Sequence, residues 1–213
     1  MGRFLLVVNG KPGSGKDTFA ELLSKYTTVY KWSVIDPVKA AAIDFGWKGG
    51  KTEKDRKFLA DLKKILDDYS DFTFEETFNK IMEFDFGMIT DDVMIVDMRE
   101  PNDIDRAVEL YDAITVYIKN DNVPEITSNH ADAATGEDAY DYDYIINNSG
   151  TMEDFEQSIQ LFYYLLEMGE EIKNQVEGNG GEWDMFKDVP DLAEVDWRDL
   201  DISDLFDEGE DEE

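Results

Sequence analysis

Residues Phe4–Leu23 read FLLVVNGKPGSGKDTFAELL. Phe4–Asn9 is a continuous apolar run of buried-strand length, and a glycine-rich turn follows it at once. Lys16–Lys25 then sets Phe19, Leu22 and Leu23 on one side of a helix. Between strand and helix, Gly10-Lys11-Pro12-Gly13-Ser14-Gly15-Lys16 has the P-loop spacing G-x-x-x-x-G-K in the setting that motif requires. Glycines let the backbone curl so that successive N–H groups converge on phosphate oxygens. A helix opening near Gly15 adds the positive end of its dipole, and Lys16 a full charge for the β- and γ-phosphates. Ser or Thr normally follows the lysine and touches Mg²⁺. Here Asp17 stands there with Thr18 next, and a carboxylate is an acceptable hard ligand for that ion, directly or through water.

Outward from this stretch, strand-like and helix-like segments alternate. Thr28–Val34, Val93–Met98, Ala113–Ile118 and Tyr142–Ile146 read as strands. Pro37–Phe45, Glu53–Tyr69, Phe74–Glu83, Pro101–Tyr111 and Met152–Glu167 read as helices, the last ending before Gly169. Such alternation predicts an α/β fold, with a parallel sheet covered by helices on both faces. The Val93–Asp97 strand ends in a carboxylate. In a parallel sheet, the ends of neighbouring strands share one crevice. Asp97 is therefore a candidate for the Mg²⁺ shell beside Asp17, and Arg99 for a phosphate contact. On its own, Asp97 would be read as the cap of the next helix.

Composition narrows the function classes. The 213 residues hold 51 acids against 20 bases, a net charge of -31, and no cysteine. Hydrophobic residues at 42% argue against wholesale disorder. The charge argues against a nucleic-acid polymer as partner, which needs a basic face. Without cysteine there is no disulfide framework and no thiolate zinc site. No apolar run has the length of a signal peptide or a membrane span, so a cytoplasmic protein with no membrane partner is expected. Asp188–Glu213 carries 13 acids and one base, Arg198. A domain of residues 1–177 followed by an acidic tail, 178–213, is the expected organisation, with the boundary at the GNGG interruption. Apolar residues spaced through the tail make a protein partner, or docking on the body, the alternative to a solvated tail.

GKPGSGKDTFAELL resembles the nucleotide loop of small phosphotransferases that read G-K-D in place of G-K-[ST]. The similarity is to phage-type deoxynucleoside monophosphate kinases, relatives of the adenylate-kinase group. Further segments recur in their order: Asp36–Lys39 (DPVK), Lys51–Arg56 (KTEKDR), Val96–Ile104 (VDMREPNDI), His130 in a polar loop, and Asp143–Thr151 (DYIINNSGT). The resemblance spans about residues 1–167 and leaves out the tail. It implies transfer of the γ-phosphoryl of ATP, with Mg²⁺, to a nucleoside 5′-monophosphate, in the host cytoplasm if the chain is phage-encoded. By the same resemblance Gly10, Gly13, Ser14, Gly15, Lys16, Asp17 and Thr18 form the ATP site, and Lys16, Arg99 and Asp97 act in catalysis. Asp36, Lys39 and Arg56 would receive the monophosphate within acceptor helices spanning about 36–90.

Several readings stay open. Lys51–Lys57 is also what a solvated, charge-mixed helix start looks like. The lid-like segment at about 119–139 contains no arginine. Either Arg99 and Arg106 cover the phosphates, or the lid adds little charge, or catalysis is weak. His130 is read first as a loop histidine among carboxylates. The competing functions are a P-loop kinase of another small metabolite, and a non-catalytic acidic nucleotide-binding protein whose surface imitates DNA.

Overall fold

The computed structural model describes residues 2–124, 136 and 139–178. The acidic tail, His130 and most of the lid-like segment lie outside these residues. In chain order the elements are β1 (Phe4–Asn9), α1 (Lys16–Leu23), β2 (Val29–Ser33), α2 (Asp36–Asp44), α3 (Glu53–Ser70) and α4 (Phe72–Asp85). There follow β3 (Val93–Asp97), α5 (Pro101–Tyr111), β4 (Ile114–Lys119), β5 (Tyr144–Asn147) and α6 (Met152–Gly178).

All the strand pairs are parallel, in the order β2-β3-β1-β4-β5. β1 is central and buried along its whole length, which is why its sequence is apolar without alternation. Its side chains divide by parity. Phe4, Leu6 and Val8 join a core with Phe19 and Leu23 of α1 and Phe155, Ile159 and Phe162 of α6. Leu5 and Val7 face the other way, onto Ile81 and Phe84 of α4 and Ile104 and Ala107 of α5. Both faces are therefore covered, an α/β arrangement compatible with that of P-loop NTPases. Burial of each large side chain in these layers contributes roughly 1.5–3 kcal/mol.

Three helices, α2 to α4, fill the connection from β2 to β3. Helix α3 buries none of its side chains fully. Its outer face carries the pairs Lys57–Asp61 and Lys64–Asp68 at i,i+4 spacing, each worth a few tenths of a kcal/mol, while the more covered Lys63–Asp67 pair faces the start of α4, where Asp67 accepts from Thr73. The last helix runs past the expected stop at Gly169, to Gly178. Glycine costs about 1 kcal/mol inside a helix. Upstream, the Phe155, Ile159, Phe162 and Leu166 stripe seats this helix on the sheet and outweighs that cost. Among the described residues, no helix is long and apolar enough to cross a membrane.

Candidate functional site

α1 follows β1 onto one face of the sheet, and α5 follows β3 onto the other. The crevice beyond the C-terminal ends of β1 and β3 is thus a topological switch point, the usual place for a ligand in an open α/β sheet. Parallel register pairs Val8 of β1 with Asp97 of β3, and Asp97 with Ser33 of β2. The glycine loop, the Asp97 carboxylate and the start of α2 consequently share one edge.

The loop is shaped by its glycines. Gly10, Gly13 and Gly15 have φ of 148°, 86° and 106°, backbone that L side chains rarely adopt. At Gly10 a Cβ would also meet the Ser14 hydroxyl at 2.6 Å and the Ile118 carbonyl at 2.7 Å. The first helical hydrogen bond runs from the Phe19 N–H to the Gly15 carbonyl, 2.8 Å. The N–H groups of residues 15–18 before it have no carbonyl within the helix and can serve an anion, whereas the Ser14 N–H is donated to the Lys11 carbonyl at 3.0 Å. Ser14 is fully buried, and its hydroxyl has no hydrogen-bond partner among the described residues.

Two asparagines brace the loop. The Asn9 side chain accepts the Gly10 N–H at 2.7 Å and donates to the Tyr142 hydroxyl at 2.7 Å. Burial pushes that phenol up to about 12, so it stays neutral. From the other side, the Asn148 amide donates to the Ser14 carbonyl at 2.8 Å. Val123, in the described start of the lid-like segment, lies over Gly13.

Lys16 folds back across the loop and donates to the Gly10 and Lys11 carbonyls at 2.7 and 3.2 Å. Burial, and next the nearby Arg99 guanidinium, lower its pKa from 10.5 to about 8, although Asp97 and Asp17 pull the other way. An ammonium short of compensating charge, beside unbonded N–H groups, suits a polyanion. Asp97 is largely buried. Desolvation raises its pKa, only partly offset by the Lys31 and Lys16 ammoniums.

Lys31, midway along β2, gave no functional signal in the sequence beyond being a lone charge in VYKWS. It is ion-paired with Asp17 and lies 3.2 Å from Asp97. Burial alone would weaken its hold on a proton, but the two carboxylates raise its pKa above the ordinary lysine value. The Asp17 carboxyl is held below its usual range, first by the Lys31 hydrogen bond, with Lys16 and Lys51 adding to this.

A magnesium ion fits this donor set in one way. Among the described residues no group of three or more His, Cys, Asp or Glu side chains could hold a metal, so the protein would offer Asp97 and Asp17 and leave the remaining positions to phosphate and water. The buried Oδ1 of Asp97 has no hydrogen-bond partner among the described residues, which is compatible with such a role.

No protein-family model and no curated protein matches the chain. Among solved structures, it is similar to TT1252 from Thermus thermophilus, with 17% identity and a TM-score of 0.47 over 77% of this chain and 98% of that one.

The acceptor-side residues are more dispersed. Asp36 accepts the Ser33 N–H at 3.1 Å and pairs with Lys39 at 2.8 Å, a link across the β2–α2 corner beside Asp97. Arg56 is exposed in the first turn of α3. Thr52 and Asp55 there form a reciprocal capping box, so part of KTEKDR starts a helix. Arg106 pairs with Asp71 at 2.7 Å and lies 3.2 Å over the Phe74 ring. It is thereby held at the α3–α4 turn, and of the two arginines considered for covering phosphates only Arg99 lies beside Lys16.

Proposed function

We propose that the chain transfers the γ-phosphoryl group of ATP, with Mg²⁺, to a (deoxy)nucleoside 5′-monophosphate. The observation that carries this reading is the loop of left-handed glycines with Lys16 folded over it, at the switch point and beside Asp97. In the transfer, an oxygen of the acceptor phosphate bonds to the γ-phosphorus. The bond from that phosphorus to the β–γ bridging oxygen breaks, and ADP leaves. Such a reaction asks for positioning and charge neutralisation more than covalent chemistry. The loop N–H groups would orient the β-phosphate, Lys16 would turn from its carbonyls to the β- and γ-oxygens, and Arg99 would approach from the β3 side. Asp97 and Asp17 would hold the magnesium, whose chemistry is to neutralise charge on the phosphates.

The order of motifs shared with monophosphate kinases supports the acceptor class. A coupled ADP-release assay over ribo- and deoxyribonucleoside monophosphates tests it. Turnover with at least one is the expected result. ATP binding without turnover on any nucleotide would move the reading to a kinase of another small metabolite or to a non-catalytic nucleotide-binding protein, and no ATP binding would favour an acidic protein with a vestigial loop.

A further inference from the structure

The two carboxylates assigned to the metal are already bridged by an ammonium of the chain itself. Lys31 pairs with Ile95 in the β2–β3 register, and Asp97, two residues on, shares that face of the sheet. The first turn of α1 lies over the same face, which brings Asp17 to the same nitrogen. The Lys31 side chain is half-buried. Counting Lys16, Lys31 and Arg99 against Asp17 and Asp97, the centre carries one net positive charge inside a chain of net -31.

We propose that Lys31 is a positioning residue: a built-in counter-ion that keeps Asp17 and Asp97 from collecting a free divalent cation, so that metal enters the centre together with a polyphosphate. The proposal rests on the phosphate-binding reading of the loop and adds to it the order of arrival. In the nucleotide-free protein the cation's place between the carboxylates is taken. A polyanion in the loop reverses the sign of the centre, and a divalent ion is then attracted where it was repelled. Without the Lys31 charge the count falls from plus one to zero, and the ammonium's place between the two carboxylates is open to a divalent ion.

The test is a Mn²⁺ titration of the full chain without nucleotide, followed by the electron paramagnetic resonance signal of the free ion. The parent should show weak, non-saturating binding. Lys31→Met should acquire one saturable site at least about tenfold tighter, and Lys31→Arg, which restores a cation, should behave as the parent. Lys25→Met changes net charge equally at a surface pair with Glu156 and should gain nothing. Equal Mn²⁺ affinity in the parent and Lys31→Met, or an equal gain in Lys25→Met, overturns the proposal. Thermal unfolding checks each variant. If Lys31→Met does not fold, Lys31→Gln replaces it, and failure of both to fold makes the role structural and also overturns the proposal. Because nucleotide is absent, the outcome does not depend on whether the chain binds ATP, which the assay above reads separately.

Discussion

The side-chain amide of Asn148 and the main-chain carbonyl of Ser14, 134 residues apart, are joined by a 2.8 Å hydrogen bond. The bond clasps the loop after β5 to the glycine loop after β1. The same asparagine side chain occupies the space that a Cβ at Gly15 would need. Asn148→Ala should therefore loosen the loop at both points. A stability loss of about 1 kcal/mol and a several-fold weaker ATP affinity are expected, read by thermal unfolding and calorimetry. Unchanged affinity would show that the glycines hold the loop without the clasp.

Lys16→Ala should lower turnover by at least ~100-fold, equivalent to ~3 kcal/mol of transition-state stabilisation, while the fold persists. Stability should move in the opposite direction. The Lys16 ammonium is destabilised by burial and by Arg99, so its folded pKa of about 8 lies below its ordinary 10.5. Between those pH values the unfolded chain binds more protons, and stability rises with pH. Lys16→Met removes the cost of the charged form and should be more stable than the parent at pH 7 by about 1–2 kcal/mol after solvent screening. That advantage should shrink from pH 8 upward and vanish above 10.5. Melting temperatures of the two proteins across this range check the sign.

Asp97→Asn should raise the half-saturating Mg²⁺ concentration for turnover, roughly tenfold, and change metal-free ATP affinity much less. Titrating Mg²⁺ at fixed ATP, alongside nucleotide binding in EDTA, separates the two effects. Equal losses in both would place the Asp97 carboxylate in holding the loop and not the ion.

Arg56→Ala should raise the apparent KM for the monophosphate and leave ATP binding alone. Because Arg56 is exposed and the helix is capped by Thr52 and Asp55, stability should stay within about 0.5 kcal/mol of the parent. Thr52→Ala supplies the contrast, with about 1 kcal/mol lost through the cap. If Arg56→Ala leaves KM untouched, KTEKDR starts a helix and does nothing more.

Local signals were enough for the strand–glycine loop–helix unit and for each element of the sheet. A buried strand must be apolar throughout, an amphipathic helix must repeat near 3.6, and loop backbone with positive φ needs glycine; each demand is met within a few residues of chain. Lys16 and the loop donors were legible for that reason. The sequence alone ends the last helix before Gly169, because glycine's local cost is visible there, while the docked stripe that carries Met152–Gly178 past it depends on the sheet.

What only the tertiary structure decided are the partnerships between distant segments. Alternation of strands and helices predicts a parallel sheet but not the order β2-β3-β1-β4-β5, and that order sets Lys31 beside Asp97. Nor does the chain near Arg106 reveal that Asp71 and Phe74 hold it at the far turn, or that Asn148 reaches Ser14. Propensity and periodicity act between neighbours in the chain. The charge balance of a site depends on which strands lie side by side, and that is settled when both faces of the sheet are buried together.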